Sequence, residues 1–406
     1  MQEVTPSKES IRNRAHFIYA AVGLAILVVV GIYVFGVFSS ERTATNTEKD
    51  FSGYSMSSLL GEAESGNLAA QVRVSEHYRD GTGGFAKSDA NHFEWALRAA
   101  NAGNIRAKVY VGRCYFHGTG TTKELERAYE MLAGPAMDFN HPTAQAYMGF
   151  FCTGDYGRPR QDELALEWFR KSAAQGDPFG EFSYGQRLLL GNDGASKDAK
   201  EGVRLLRLSL EHGNVRAAGP LGWAHANGEG VEKDYKEAAR LYEKDASQGG
   251  ARAAHALALL YLDGNGVIKD VEVALKWLKK SSDGGYMEAK KSLGRMYDYG
   301  IMVAIDRVTA SKYYMEVALS GDVDCQRVMG ARFSQGLGLS GDANPVLSSD
   351  LSEAYAWYNV AASNGDSQAS ASREEIAKSL NAEQVLAAQK RSREILKEIE
   401  AKNAKK

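Results

Sequence analysis

A beat of 36 or 37 residues, running from about residue 60 to about residue 365, constrains this 406-residue chain more than any other feature. It shows first as Gly followed by Asn or Asp: Gly66-Asn67, Gly103-Asn104, Gly176-Asp177, Gly213-Asn214, Gly321-Asp322 and Gly365-Asp366. Gly249 and Gly285 keep the beat with other neighbours, and Asn140 fills the gap between Gly103 and Gly176. Successive anchors are 37, 37, 36, 37, 36, 36, 36 and 44 residues apart. A fixed period of this length marks stacked repeats, each touching only its neighbours. Such stacks offer extended surfaces for partners.

Aligned on the anchor, each repeat carries a small residue four positions on (Ala70, Ala107, Ala144, Gly180, Ala217, Ala253, Ala289, Cys325). Eight on stands a mostly large apolar residue, and nine on a small one, as in Leu221-Gly222 and Leu293-Gly294. Twelve on is mainly aromatic: Tyr78, Tyr115, Tyr261, Tyr297, Phe333. Spacings of four, four and five place these on one helical face. Gly follows fifteen after the anchor in seven of eight repeats and reads as a helix stop, because Gly enters the left-handed region without strain. Asp155 takes that place once. Asp234, Asp270 and Asp306 then read as N-caps of a second helix, with Asp234 and Glu237 spaced for a capping box. That helix carries a large residue eight before the next anchor: Trp95, Trp168, Leu205, Leu241, Trp277, Tyr313, Trp357. Each repeat is expected to be a helix–turn–helix hairpin whose seams need neighbours for burial.

Residues 251–285 hold the pattern well, in Ala253, Leu257, Tyr261, Gly264, Gly266, Val267, Asp270, Ala274, Trp277 and Gly285. The pattern resembles the Sel-one-like repeat family, related to the tetratricopeptide repeats, over roughly residues 56–366. The resemblance implies an all-α, right-handed superhelical α-solenoid with a protein-interaction role. The resemblance suggests an envelope role such as secretion-complex assembly, regulation of envelope signalling or cell-wall-linked scaffolding, and the sequence does not choose among them. The resemblance does not identify the partner.

Outside the repeats, residues 17–38 form a run of 22 without a charge. At ~1.5 Å per residue a helix there spans a bilayer core. Lys8, Arg12 and Arg14 precede it, which favours a cytoplasmic tail at residues 1–16 and repeats outside. A cleaved signal peptide is the rival reading, although its apolar core is usually shorter and no Ala-x-Ala site follows. Residues 39–55 read as a linker, and 367–406 as closing helices and tail, with Val385, Leu386, Ile395, Leu396 and Ile399 suited to a cap. The chain has no Asn-x-Ser/Thr sequon, which fits a bacterial source. The expected place is therefore the inner membrane, with the repeats in the periplasm.

The chemistry-bearing residues do not converge. Cys114 and Cys152 occupy neighbouring slots, but stacked helices lie ~8–10 Å apart and a bridge needs Cα atoms within ~7 Å. The eight histidines are scattered with no His-Glu-x-x-His or Cys/His cluster, so no metal is expected. The Gly-x-Gly turns lack the strand, helix and Lys of a phosphate loop, and a net charge of −2 gives no reason to expect nucleic acid. No catalytic residue and no cofactor are assigned. The position ten after each anchor lies beside the core Gly and should face a partner: Glu76, Arg113, Phe150, Gln186, Trp223, Leu259, Arg295, Ala331. Arg106, Arg216 and Arg252, three after their anchors, add positive charge and favour an acidic partner. The candidate partner-binding set is thus Arg106, Arg113, Phe150, Gln186, Arg216, Trp223, Arg252 and Arg295. The expected function is a membrane-anchored adaptor holding a protein or peptide. Rival readings are a saccharide- or cell-wall-fragment-binding module using Phe150 and Trp223 as platforms, and an envelope hydrolase, for which no convergent titratable groups appear.

Overall fold

The Gly-Asx beat is a stop followed at once by a start. In the second helix of each repeat the last carbonyls need donors, and a left-handed residue just past the end supplies them. At Gly103 (φ 94°) the amide donates to Ala100 O at 3.0 Å and that of Asn104 to Ala99 O at 3.0 Å. The Asn104 side chain then caps the next helix by accepting from Ala107 N at 2.9 Å. Asn67, Asp177, Asp322 and Asp366 cap their helices in the same way. Asn140 keeps the beat because it too is left-handed, at φ 50°, and Asn tolerates that region better than most residues.

The computed structural model describes residues 51, 53–337 and 350–404. The expected tail at 1–16, the apolar run at 17–38 and nearly all of the 39–55 linker lie outside the described residues, as do 338–349 of the long loop. Among the described residues there are nineteen α-helices and no strand, and no helix is long and apolar enough to cross a membrane. Helix α1 (Met56–Glu64) precedes α2 (Leu68–Asp80) with α3 (Asp89–Asn101), and α4 (Ile105–His117) with α5 (Leu125–Met137). Then come α6 (Pro142–Phe151) with α7 (Asp162–Ala173), α8 (Pro178–Leu190) with α9 (Ala199–Glu211), and α10 (Ala218–Asn227) with α11 (Tyr235–Ser247). The series continues with α12 (Ala251–Asp263) and α13 (Val271–Asp283), α14 (Met287–Tyr299) and α15 (Arg307–Ala318), and α16 (Val323–Ser334) and α17 (Leu351–Ser363). Helices α18 (Ser367–Ala377) and α19 (Ala382–Asn403) close it. The architecture is an all-helical solenoid of hairpin repeats.

The helices form two compact units. The first holds α1–α3, the start of α4 and Thr119–Thr122; the second holds the rest of α4 and everything from Lys123 on. In the first unit Phe51, Leu59, Ala63, Ala70, Val74, Phe85 and Trp95 form the core. In the second, the small residue nine after each anchor receives a large side chain about twenty residues later. A Cβ on Gly112, Gly149, Gly222 or Gly294 would meet Leu132, Phe169, Tyr242 or Tyr314 at 2.5–2.9 Å. The side chain that fills this notch is often not the one eight before the anchor but its neighbour: Phe169 and Leu278 are fully buried, whereas Trp168 and Trp277 are half-buried.

Asp234, Asp270 and Asp306 are N-caps, as expected. The capping box at Asp234 is only half made, because Glu237 pairs with Arg240 at 2.6 Å instead of returning to the cap amide. The reciprocal box stands at Asn381 and Gln384, opening α19. That helix closes the stack with a stripe of Ala388, Ser392, Ile395 and Ile399. Ile395 and Ile399 join the core of α15–α17, whereas Leu386, assigned to the cap from sequence, is 63% exposed. Helix α6 ends at Phe151, and the Asp155 slot falls inside a longer turn with Gly154 and Gly157 left-handed.

Candidate partner-binding site

Local sequence prepares the site on α8, α10 and α12. Pro220 cannot donate a helical hydrogen bond, so it is tolerated only in a first turn. The chain meets this by making a 3₁₀ turn at Val215–Ala217 and starting α10 at Ala218. Asn214 is consequently released from capping and donates to Pro178 O at 3.1 Å and Ser209 Oγ at 3.1 Å. Arg216 lies on the 3₁₀ turn and is exposed.

A cavity of about 350 Å³ opens there, and Gln186, Arg216, Trp223 and Arg252 all line it with Phe182 and Asp245. Trp223 is 36% exposed. Arg216 lies over the Phe182 ring at 5.9 Å and Arg252 over the Tyr286 ring at 6.0 Å. Asp245 is half-buried, and burial pushes its carboxyl above the usual carboxylate range, with the Arg216 charge acting the other way. The cavity thus joins an aromatic wall, two guanidinium groups and one carboxylate, which suits a side chain carrying both charge and apolar surface.

The remaining candidates stand elsewhere. Phe150 packs into an aromatic cluster, 5.2 Å from Phe169, 5.8 Å from Tyr147 and 6.2 Å from Phe116. Arg113 lies over Phe179 at 5.7 Å, beside this cluster. Tyr147 at its centre is 1% exposed and accepts or donates at 2.7 Å with His117 Nε2; burial pushes its phenol up, opposed by the Arg113 charge. Phe150 is therefore half-buried packing rather than an open platform. Arg106 is in the first unit, ion-paired with Glu76 at 2.7 Å. Arg295 is exposed on α14 and does not line the cavity.

Sequence reasoning missed Asp245. A signal existed: four before the anchor the other repeats carry Ala99, Ala136, Ser172, Ser209, Ser281, Val317 and Ala361, all small or apolar. An Asp in that buried register was anomalous. Among the described residues no group of His, Cys, Asp and Glu could hold a metal ion. Ser75 Oγ lies 2.7 Å from His92 Nδ1, a spacing that nucleophilic pairs use. Both are buried and the Ser75 hydroxyl also donates to His92 O at 2.9 Å, so the pair ties α2 to α3. Cys114, Cys152 and Cys325 are free thiols.

Helix hairpins on a 36–37-residue period, joined by a Gly-Asx stop and start, define a repeat protein built for binding. The chain belongs to the Sel1 repeat family, whose repeat model matches at residues 68–104, 105–133, 142–177, 178–214, 220–250, 251–286, 288–320 and 323–366. Among solved structures it is similar to a Sel1 repeat protein from Oxalobacter formigenes, with 24% identity over 79% of this chain and 90% of that one and a TM-score of 0.52. That likeness shows the shared fold. A protective antigen of uropathogenic Escherichia coli with an SLR fold matches at 25% identity over 84% of this chain and 79% of its own, with a TM-score of 0.43. An immunity protein from Pseudomonas aeruginosa matches at 18% identity over 47% of this chain and 70% of its own, with a TM-score of 0.35. No curated protein matches the sequence. Sel1-repeat solenoids are typically protein–protein interaction scaffolds and generally non-enzymatic.

Proposed function

We propose that the protein is a membrane-anchored interaction scaffold. Residues 17–38 hold it in the inner membrane with residues 1–16 in the cytoplasm, the repeats stand in the periplasm, and the first-helix face of the second unit recruits a protein or peptide. The observation that carries the recruiting face is the convergence of Gln186, Arg216, Trp223 and Arg252 on one cavity. Trp and Arg in such a setting are the side chains that most often dominate an interface.

Photo-crosslinking in cells tests it. A photoreactive residue at position 186 or 223 should give a discrete adduct, lost with Arg216→Ala, while one at exposed Lys279 on α13 should not. Equal labelling from 279, or no adduct from either cavity position, would sink the assignment of this face.

A further inference from the structure

The chain contains a filled version of its own cavity. In the second repeat Arg106, three after its anchor, pairs at 2.7 Å with Glu76, which stands ten after the preceding anchor. Tyr110, seven after the same anchor, accepts from Arg106 Nε at 2.9 Å and donates to Glu76 Oε1 at 2.7 Å. Glu76 is only 7% exposed and also meets Arg73 at 3.5 Å, so this guanidinium and phenol are gathered on a buried carboxylate of the same chain.

The fifth and sixth repeats keep the arginine and omit the rest. Arg216 and Arg252 hold the Arg106 register, but the Glu76 register holds Gln186 and Trp223, and the Tyr110 register holds Pro220 and Ala256. All six of these residues line the 350 Å³ cavity. Neither guanidinium has an ion-pair or hydrogen-bond partner among the described residues. Opposite charge in the two registers does not suffice by itself. Arg295 and Asp324 occupy them with signs reversed and no phenol between, and Asp324 bonds Arg327 at 3.1 Å instead. The phenol belongs to the set.

We infer that the cavity takes from a partner what the second repeat takes from its own chain: a glutamate or aspartate beside a tyrosine, on an exposed segment of a protein. The acid meets Arg216 or Arg252, and the ring fills the space over Pro220 and Ala256 against Trp223. Asp245 faces the same space and opposes a second carboxylate, which selects one acid next to an aromatic over an acidic run. This assignment rests on the proposed recruiting face and names its partner class.

The test is selection of a random peptide library on phage against the full chain in detergent. Recovered sequences should hold Asp or Glu next to Tyr. Gln186→Glu should put a carboxylate into the cavity where the partner's acid would stand and, by like-charge repulsion whether or not it reaches Arg216, cut recovery about tenfold. Arg216→Ala and Arg252→Ala should cut recovery similarly. Recovered sequences that lack an acid yet require Trp223 would overturn the acidic–aromatic class and leave the recruiting face standing. Acidic sequences recovered equally well on Gln186→Glu would also overturn it. Sequences indifferent to Trp223, Arg216 and Arg252 would remove both.

Discussion

The carboxylate of Asp245 occupies the space that a side chain at residue 250 would need. A Cβ on Gly250 would lie 2.5 Å from both Asp245 Cγ and Oδ1. In three other repeats the register of Asp245 holds a serine that donates to a carbonyl of the first helix of its own repeat, as Ser172 does to Pro142 O at 2.8 Å, Ser209 to Pro178 O at 2.6 Å and Ser281 to Ala251 O at 2.6 Å. An ionised carboxylate cannot donate, and the glycine beside it makes room for the exchange.

The exchange has a pH signature. Burial raises the Asp245 carboxyl in the folded protein, so its ionised form is penalised relative to the unfolded chain. Asp245→Asn should therefore stabilise by about 1 kcal/mol at neutral pH. The folded form binds its proton more tightly, so the penalty is absent below the unfolded carboxylate range and grows as pH rises through the folded one. The Asn gain should accordingly shrink toward zero in acid. Urea denaturation at about pH 7 and about pH 4 measures it. A gain independent of pH would show that the charge is not its source.

Two glycine substitutions should move stability in opposite directions. Gly149 lies in α6 against Phe169, where a Cβ would fall 2.6 Å from Cε1. The fully buried ring is held between Phe150 at 5.2 Å and Arg187 at 4.5 Å and has no retreat. Overpacking of about 1–3 kcal/mol then exceeds the helix-propensity gain of about 1 kcal/mol, and Gly149→Ala should lose stability. Gly134 in α5 faces only the Asp138 carboxylate at 3.9 Å, so Gly134→Ala should gain nearly the full propensity term. Thermal melts of the pair check both signs.

The repeat frame was legible because it is written in local chemistry. A left-handed Gly followed by Asn or Asp needs no tertiary context, so Gly103-Asn104 announced both the end of α3 and the start of α4. Registers three and ten after the anchor likewise placed Gln186, Arg216, Trp223 and Arg252 on one face, and the cavity joins them. What failed depended on neighbours at no fixed register. Phe150 was read as open, but Phe116 of α4, Phe169 of α7 and Tyr156 of the turn after α6 close round it. Whether Trp168 or Phe169 fills the Gly149 notch turns on about 100° of helix rotation, which the spacing of large residues alone does not resolve. Arg106 looked like free charge because Glu76 lies thirty residues earlier.

Met302 breaks the turn pattern and should be improvable. Seventeen after the anchor the backbone is left-handed in every described repeat: Gly83, Gly120, Gly157, Gly230 and Gly266, with Asp193 at φ 49° and Met302 at φ 60°. Asp193 earns its place by accepting from Arg160 at 2.7 Å. Met302 is 47% exposed, beside exposed Ile301 and Ile305. A non-glycine residue there carries about 1 kcal/mol of strain. Met302→Gly should raise the melting temperature, and Asp193→Gly should not. A fall for Met302→Gly would mean that its side chain packs more than its exposure indicates.

The membrane anchor in the proposed function makes the topology measurable. Residues 17–38 carry no charge, and Lys8, Arg12 and Arg14 precede them, while Arg42 and Lys49 follow among Glu41, Glu48 and Asp50. The basic-residue rule predicts a cytoplasmic N-terminal side. A reporter active only outside the cytoplasm, fused after Lys406, should therefore be active on a full-length chain, and its cytoplasmic counterpart silent. Replacing Lys8, Arg12 and Arg14 by Gln should weaken that orientation, because it leaves Arg42 and Lys49 as the basic residues flanking the segment. Activity on a shortened chain would mean cleavage near residue 38 and a protein free of the membrane. Activity of the cytoplasmic reporter would reverse the topology and place any acidic–aromatic partner of the Arg216 and Arg252 cavity inside the cell.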